Sequence, residues 1–263
     1  MNYINEEKIN KIKLNNDNFY VVIDFDKTIT SYESEDSWDV TGRATNNINC
    51  DKEIESLYKK YRPIELDYTI TKEEKNVQME KWCNECMGVY YKYKLNKDLL
   101  KTALLESRIK FRKGAKEFLD YLEKNNIPTI ILSAGIGNVI EEFLKFTNCN
   151  FKNITIISNF IDFDENNIMK KFDKPMIHTM NKKLEGNLSS EVEEKIKDLK
   201  YGILFGDLVE DSNMIDKTKT DNIIRIGFLN ESHKNLEVYK KVFDIVLTNE
   251  EANFNVARKF IKI

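Results

Sequence analysis

The chain has 263 residues, and its 41 Lys and Arg residues nearly balance its 44 Asp and Glu residues, for a net charge of −3. This balance argues against nucleic acid or an anionic membrane as the main partner. No apolar stretch is long enough to span a bilayer, and the first residues lack the basic and apolar regions of a signal peptide. We therefore expect a cytoplasmic protein without a membrane or nucleic-acid partner, and we expect it to be a monomer.

The first predicted strand leads directly into two carboxylates. Residues Phe19 to Ile23 are consecutive apolar residues, a pattern typical of a strand buried on both faces of a parallel sheet. Asp24, Asp26 and Thr28 follow, and ligands of open α/β sheets bind beyond the carboxyl ends of the strands. Two carboxylates this close repel each other, and a bound cation commonly offsets the repulsion. The same residues also fit a strand that simply runs into a polar turn.

A block of helices without a convincing strand comes next. Residues 31–49 are weakly patterned. Three helices are then predicted, at about Lys52–Tyr61, Thr71–Tyr93 and Lys97–Ser107. Thr71 and Glu74 indicate a capping box at the start of the second. Cys83 and Cys86 lie inside that helix; because no second cysteine pair completes a zinc site, we expect two thiols in a reducing compartment rather than a metal or redox centre.

Helices and strands alternate from residue 113 onward. The predicted helices are Lys113–Asn125, Asn138–Phe146, Glu191–Lys200 and a last one from about Glu251. The predicted strands are Thr129–Leu132, Thr155–Phe160, Gly202–Phe205, Ile223–Ile226 and Ile245–Leu247. A hairpin is predicted within Phe160–Phe172. Strand–helix–strand units at this spacing imply right-handed crossovers and a parallel sheet with helices on both faces.

The predicted fold class is therefore α/β, with a Rossmann-like parallel sheet and an inserted helical domain. Residues 1–34 and 110–263 are predicted to form the core, and residues 35–109 are predicted to form a helical cap over the carboxyl edge of the sheet. A cap in this position can exclude water and position a substrate.

The end of the second core strand carries groups suited to binding a phosphate. Ser133, Ala134 and Gly135 follow this strand, and a hydroxyl with backbone N–H groups before a helix can donate hydrogen bonds to phosphate oxygens. A strand–helix turn that only requires glycine fits the pattern equally well. A phosphate also needs a nearby cation, for which Lys182 is the candidate, although a lysine in a lysine-rich chain is usually solvated and spacing alone does not select it.

The strand at 202–205 ends in acidic residues suited to a metal. Asp207 is a hard oxygen ligand that could hold Mg²⁺ together with Asp24 and the backbone carbonyl of Asp26. Asp211 falls one helical turn later on the same face. An acidic helix start that favours the helix dipole is the alternative, and Glu210 is expected to be only that.

These blocks, in this order, resemble the cytosolic 5′-nucleotidase III family, also called pyrimidine 5′-nucleotidase type 1, of the haloacid dehalogenase superfamily. The likeness runs from about Phe19 to the C-terminus and is weakest at residues 31–49. Besides the apolar strand with Asp-x-Asp-x-Thr, the blocks are Ile64-Glu65-Leu66-Asp67, Thr71-x-Glu-Glu-Lys, Ser133-Ala134-Gly135-Ile136-Gly137, Ser158-Asn159-Phe160-Ile161-Asp162-Phe163-Asp164, Ile177-His178-x-x-Asn181-Lys182 and Gly206-Asp207-x-x-x-Asp211.

The resemblance implies Mg²⁺-dependent hydrolysis of nucleoside 5′-monophosphates, mainly of pyrimidines, with one branch also taking 7-methylguanosine monophosphate. The implied roles are nucleophile for Asp24, acid/base for Asp26, metal binding for Asp207 with Asp24 and Asp26, phosphate binding for Ser133, Ala134 and Lys182, nucleotide contact for Glu65, and support for Asp211 and Thr28. Cys86 stands where the family usually has a nucleotide-contacting Ser. A thiol is a poorer hydrogen-bonding group than a hydroxyl, so the sequence leaves the base preference open.

Two other functions are compatible with these residues. One is a phosphatase or phosphotransferase of the same superfamily acting on another small phosphate. The other is a degenerate nucleotide-binding or regulatory protein. Retention of both Asp24 and Asp26 argues against the second alternative, because binding alone does not need a paired nucleophile and acid.

Overall fold

A single sheet forms the centre of the computed structural model, which describes residues 2–67, 69–216, 221–230 and 236–263. Its strands are β1 Tyr3–Ile4, β2 Phe19–Ile23, β3 Thr129–Ile136, β4 Ile154–Asn159, β5 Tyr201–Gly206, β6 Ile223–Leu229 and β7 Ile245–Thr248. They lie in the order β1-β7-β6-β5-β2-β3-β4. All neighbours pair in parallel except the edge strand β1, which runs antiparallel to β7. The predicted α/β class with a parallel sheet is confirmed.

The strand order reverses at β2. The chain passes from β2 to β3 on one side, whereas β5 pairs with the opposite edge of β2. Crevices that bind ligands open at such switch points, beyond the carboxyl ends of the strands. The backbone N–H of Asp24 donates to the carbonyl of Phe205 at 3.0 Å, so the ends of β2 and β5 lie level with each other.

Helices cover both faces of the sheet and also form the insertion between β2 and β3. Their bounds are α1 Glu6–Lys11, α2 Ser37–Arg43, α3 Ile48–Leu66, α4 Lys72–Lys92, α5 Lys97–Glu106, α6 Ala115–Lys124, α7 Gly137–Phe146, α8 Ser190–Ile196, α9 Leu236–Lys240 and α10 Phe254–Ile261. Side chains of β2 point alternately to the two faces. Val21 packs in the larger apolar cluster with α6, α7 and α10, and Val22 packs in the smaller one with α8 and α9. Both side chains are fully buried, which explains the uninterrupted apolar run of this strand.

The predicted elements of the core occur with shifted ends. Strand β3 continues to Ile136, so the Ser133 region is an irregular strand end rather than a turn. The predicted hairpin within Phe160–Phe172 is reduced to one antiparallel bridge between Phe163 and Met169. The last helix begins at Phe254, after a short 3-10 turn over Asn249–Glu251. Strand β1 and helix α1 were not predicted from the sequence.

In its described residues, the insertion contains four helices rather than the three predicted, and α3 is longer than predicted. Helix α3 starts at Ile48 because Asn47 caps it by accepting the N–H of Asn49 at 3.0 Å, and it continues for three residues beyond Pro63. The weakly patterned residues 31–49 contain helix α2. A proline near the end of a helix removes a single N–H donor, so it need not end the helix at once. The division into a core and a cap of residues 35–109 stays a prediction.

Hydrogen bonds join the two chain segments that enter and leave the inserted helices. The Ser31 N–H donates to the carbonyl of Lys110 at 2.9 Å, and Ser34 Oγ donates to the same carbonyl at 3.1 Å. Thr30 and Phe111 form an antiparallel bridge. The insertion therefore leaves and rejoins the core at one place. Within the described residues, no helix is long and apolar enough to cross a membrane.

Replacing Phe118 with alanine should destabilise the fold strongly. This ring is fully buried on α6, with its centroid 5.3 Å from those of both Phe205 and Phe254. We expect the free energy of unfolding, measured by urea denaturation, to fall by about 3–5 kcal/mol because a large cavity remains. Phe146→Ala is the matched control, since this ring is 60% exposed and its loss should change stability by less than about 0.5 kcal/mol. Equal effects of the two substitutions would contradict the assigned core.

Candidate active site

A cavity of about 690 Å³ is lined both by the carboxyl edge of the sheet and by the inserted helices. It brings together nearly all residues that the sequence singled out. Those that line it are Asp24, Asp26, Glu65, Cys86, Ser133, Ala134, Lys182, Asp207 and Asp211. Thr28 does not line the cavity; it is fully buried in the turn after β2. These residues come from six separate parts of the chain. The parallel strands bring Asp24, Ser133 and Asp207 to one edge of the sheet, whereas Glu65 and Cys86 reach the cavity from α3 and α4.

Asp24 and Lys182 form a buried ion pair at the base of this cavity. Lys182 Nζ donates to Asp24 Oδ1 at 2.5 Å and to Asp211 Oδ1 at 2.8 Å. Burial raises the pKa of Asp24 to about 6, although Lys182 opposes the shift. Burial alone would lower the pKa of Lys182, but Asp211 and Asp24 raise it above its usual value. The lysine therefore stays charged and holds the two carboxylates in place.

Asn159, at the end of β4, positions the loop that carries Lys182. Its side-chain amide donates to the carbonyls of Ala134 at 3.0 Å and Ile177 at 2.8 Å, and its side-chain oxygen accepts the N–H of Ile177 at 2.8 Å. The N–H of Lys182 then donates to the carbonyl of His178 at 3.0 Å. Lys182 thus reaches Asp24 through contacts with β3 and β4, which local sequence spacing does not show.

Asp24, Asp207 and Asp211 form an acidic cluster in which each residue offers a ligand oxygen within 4.8 Å of the others. Asp211 Oδ2 accepts the backbone N–H groups of Asp207 at 3.0 Å and Leu208 at 2.9 Å, which fixes the loop after β5. Burial, followed by the charges of Asp24 and Asp211, raises the pKa of Asp207 well above its usual value. The sequence assigned Asp211 only a supporting role, whereas the geometry places it within the cluster.

Asp26 is held by the start of helix α2, in a contact that the sequence did not reveal. Its two carboxyl oxygens accept the Ser37 N–H at 2.9 Å and the Ser37 hydroxyl at 2.6 Å. The same hydroxyl accepts the N–H of Ile136 at 3.0 Å. Burial and then the nearby Asp36 carboxylate raise the pKa of Asp26 to about 8. The available signal was the capping box of Asp36 and Asp39, which marks Ser37 as the first residue of a helix.

The turn after β2 is stabilised by Arg112, a second residue that sequence reasoning missed. Lys27 adopts the left-handed region with φ 61°, which costs about 1–2 kcal/mol for a residue with a side chain. Arg112 offsets this cost by donating to the backbone carbonyls of Lys27 and Thr28. Asn230 also donates to the Lys27 carbonyl, at 3.0 Å, and to Asp207 Oδ2 at 3.1 Å. The turn and the acidic cluster are therefore connected.

Glu65 reaches the cavity from the end of α3. Its side chain forms an ion pair with Arg62 one turn earlier on the same helix, and its backbone carbonyl accepts Lys75 Nζ at 2.9 Å. Lys75 also lies 3.4 Å from Glu210 Oε1, so Glu210 contacts the insertion and is more than an acidic helix start. The ion pair between Lys75 and Glu210 joins α4 to the loop that carries Asp207 and Asp211. The pairing partner Arg62 carried no sequence signal beyond its spacing to Glu65.

Apolar and aromatic side chains surround the same end of the cavity. Cys83 and Cys86 lie on α4 as free, buried thiols, and burial raises the pKa of Cys83 to about 12 and that of Cys86 further. Both thiols are therefore protonated at neutral pH. Trp82 lines the cavity beside them, stacked on Tyr61 at 5.9 Å and edge-on to Tyr58 at 6.0 Å. Flat rings next to a cavity can stack on a planar ligand.

Comparison with known proteins gives a consistent result. The family model Pyrimidine 5′-nucleotidase (UMPH-1) matches residues 19–263. A 7-methylguanosine phosphate-specific 5′-nucleotidase from Mus musculus is 35% identical over 205 residues, which cover 77% of this chain and 68% of the mouse protein. The crystal structure of cytosolic 5′-nucleotidase IIIB bound to cytidine is similar with a TM-score of 0.83 at 28% identity, covering 98% of this chain and 88% of that one. Phosphoserine phosphatase, at 15% identity, has a similar fold with a TM-score of 0.60, covering 92% of this chain and 98% of that one.

Replacing Gly135 with alanine should disturb the contact between Asp26 and Ser37. A Cβ atom at this position would lie 2.1 Å from Ser37 Oγ and 2.5 Å from Asp26 Oδ2. We expect the free energy of unfolding to fall by about 1–3 kcal/mol, since buried groups must move. Gly88→Ala, on α4, is the control: its Cβ would meet nothing within 4 Å, so stability should rise by about 0.5–1 kcal/mol. Unchanged stability of Gly135→Ala in urea denaturation would contradict this close approach.

Proposed function

Because the chain belongs to the pyrimidine 5′-nucleotidase (UMPH-1) family, we propose that it hydrolyses nucleoside 5′-monophosphates to nucleosides and inorganic phosphate. The observation that carries this proposal is the meeting of Asp24, Asp26 and Lys182 in one cavity with Glu65 from the inserted helices. Phosphate monoesters hydrolyse so slowly that an enzyme must lower the barrier by roughly 20 kcal/mol. No single group supplies this amount, and the cavity offers a nucleophile, an acid and a cation together.

In the first step, the Asp24 carboxylate attacks phosphorus and the bond from phosphorus to the 5′ oxygen breaks. This gives an aspartyl-phosphate on Asp24 and a leaving nucleoside oxygen, which Asp26 protonates. The position of Asp26 supports the acid role: it follows the nucleophile by two residues and lines the same cavity, and Ser37 orients its carboxyl group. The nucleoside then leaves as the neutral alcohol.

In the second step, Asp26 acts as a base. Its carboxylate takes a proton from water, and the resulting hydroxide attacks the phosphorus of the aspartyl-phosphate. The bond from phosphorus to Asp24 breaks, so the nucleophile is regenerated as a carboxylate and inorganic phosphate is released. Asp26 ends this step protonated, ready for the next leaving group.

Three groups around Asp24 are proposed to hold the phosphate. Lys182 places its charge directly against the nucleophile, where the negative charge of the phosphoryl group would lie. Ser133 and Ala134 line the same cavity from the second half of β3, and the backbone N–H of Ala134 is proposed as a further donor to the phosphate. The Ser133 hydroxyl already accepts the N–H of Gly135 at 3.0 Å, which leaves its hydrogen to be donated toward the cavity.

The acidic cluster fits a bound Mg²⁺. Three carboxylates converge within 4.8 Å, and one lysine offsets only part of their charge. Asp24, Asp207 and the backbone carbonyl of Asp26 are proposed as the protein ligands, with Asp211 supporting the loop and Thr28 the turn. Mg²⁺ prefers a few such oxygens together with water and phosphate. When bound, it would stabilise the negative charge that develops on the transferred phosphoryl group.

The nucleoside is proposed to lie between Glu65 and the helix that carries Trp82 and Cys86. The proteins similar to this chain are named for 7-methylguanosine phosphate or were crystallised with cytidine, so both nucleosides belong in a test of base preference. Cys86 offers a weak donor where the family usually has a serine hydroxyl, so Glu65 is the main polar group proposed to read the base. We also propose that the protein is cytoplasmic, since a similar solved structure is that of a cytosolic enzyme; that it is a monomer stays a prediction from the sequence.

Asp24→Asn should abolish phosphate release and leave the fold intact. The amide keeps the shape of the carboxylate but is not a nucleophile, so turnover should fall at least roughly a thousandfold. Inorganic phosphate is measured with the 5′-monophosphates of cytidine, uridine, 7-methylguanosine and adenosine, and circular dichroism checks folding. Asp120→Asn, an exposed position on α6, is the control and should keep the wild-type rate. Turnover of the Asp24 variant close to the wild-type rate would exclude the covalent mechanism.

Mg²⁺ should raise both activity and thermal stability, and Asp207→Ala should reduce both effects. A ligand that binds only the folded state stabilises it by about 2.7 kcal/mol at a hundredfold excess over its dissociation constant. Melting temperature with and without Mg²⁺ is therefore an independent readout beside phosphate release, and Asp120→Asn again serves as the control. Full activity after thorough chelation, or an equal Mg²⁺ shift in the Asp207 variant, would contradict the assigned metal site.

A further inference from the structure

The carboxylate proposed to read the base is already paired with a cation inside the cavity. Arg62 Nη1 contacts Glu65 Oε2, and both residues line the cavity. Residues three apart on a helix share one face, so the last turns of α3 present both charges together. The Glu65 side chain is 7% exposed and that of Arg62 is 24% exposed, so water screens the pair only weakly.

The charge of a base decides how it interacts with such a pair. Methylation of guanine at N7 gives the base a positive charge, whereas cytosine and uracil are neutral at pH 7. A lone buried carboxylate attracts a cationic base strongly, because Coulomb energies rise as the effective dielectric constant falls. A guanidinium beside the carboxylate opposes that attraction. It affects a neutral base much less, because only the dipoles of that base interact with it.

The other residues that line the cavity do not account for the effect of the Arg62 charge on a cationic base. Trp82 and Tyr58 line the cavity, and aromatic rings can stack on any base, although their faces also attract cations. Further charged groups on α2, α3 and the preceding loop line the cavity, among them Asp36, Asp39 and Asp51. They act on both kinds of base in the wild type and stay unchanged when Arg62 is replaced. A comparison of two bases across variants at position 62 therefore isolates the contribution of this one cation.

We propose that Arg62 is a specificity-determining residue, which lowers the preference of the Glu65 carboxylate for a cationic base relative to a neutral pyrimidine. This inference rests on the proposed function, which places the base next to Glu65. The substrate class that follows is the nucleoside 5′-monophosphates with a neutral base. Without the charge of Arg62, the preference of the same cavity would shift from neutral bases toward 7-methylguanosine.

The test measures a ratio of affinities. The dissociation constants of 7-methylguanosine and cytidine are determined by calorimetry, and kcat/KM is determined for their 5′-monophosphates. Arg62→Gln should shift both ratios about tenfold toward the methylated base, the change expected for removal of one nearby charge at low dielectric. If Arg62→Gln does not fold, Arg62→Met is used instead, because it also removes the charge and has an unbranched side chain. Glu65→Gln should shift the ratios in the opposite direction.

Two control variants separate charge from structure. Arg62→Lys keeps the positive charge and should hold the ratios within about twofold of wild type. Lys52→Gln removes a cation from an exposed position of the same helix and should leave them unchanged. Three outcomes would overturn the inference. The neutral variants at position 62 could lose affinity equally for both nucleosides, the affinity ratio could shift toward cytidine, or the wild type could bind neither nucleoside. Nucleoside binding without phosphate release from any nucleotide would instead contradict the proposed function, while the affinity ratios would still decide the role of Arg62.

Discussion

The crowding of three carboxylates beside one buried lysine is the constraint on which the rest of this structure depends. Asp24 and Asp211 share Lys182, and Asp207 lies within the same cluster. Removing one partner of a buried ion pair typically costs roughly 3–5 kcal/mol, because the other charge is left uncompensated. Two backbone N–H groups of the loop after β5 stabilise the Asp211 carboxylate by donating to it. A hydrogen bond from the Asp24 N–H to the Phe205 carbonyl holds the ends of β2 and β5 together. One lysine does not offset three carboxylates, and the proposed metal cation would balance the remaining charge.

The inserted helices are tied to this cluster by contacts with its loop. Lys75 on α4 is almost fully buried and lies against both the carbonyl of Glu65 and the carboxylate of Glu210, the neighbour of Asp211. Burial raises the pKa of Glu210, and Lys75 opposes the shift. A change in the position of α4 would therefore be felt at the loop that holds Asp207 and Asp211. Ser37 provides a second connection, since it begins α2 and binds Asp26.

The two ends of the cavity differ in chemistry, which matches the two halves of a nucleotide. One end has fixed charges held by strand ends, suited to a phosphate and a metal. The other end has the ring of Trp82, two protonated thiols and the Arg62–Glu65 pair, suited to a planar and partly polar base. Substitution of the α3 and α4 side chains that line the second end would therefore alter substrate choice while the phosphate site stays the same, provided that the contact between Lys75 and Glu210 is kept.

The sequence by itself determined those features of the fold and of the site that depend on a local residue pattern. The apolar run of β2 followed by Asp24 and Asp26, and the strand ends at Ser133 and Asp207, predicted the parallel sheet and the edge where the site lies. Most other candidate residues, Glu65 and Cys86 among them, rested on resemblance, and their roles stay predictions. Only the tertiary structure decided which distant residues complete the site. Ser37 meets Ile136, Arg112 meets Asn230, and Asn159 orders the loop of Lys182. Such contacts join residues that are far apart in the chain. Each hydrogen bond requires only one suitable side chain at one position, so it leaves no periodic pattern in the sequence.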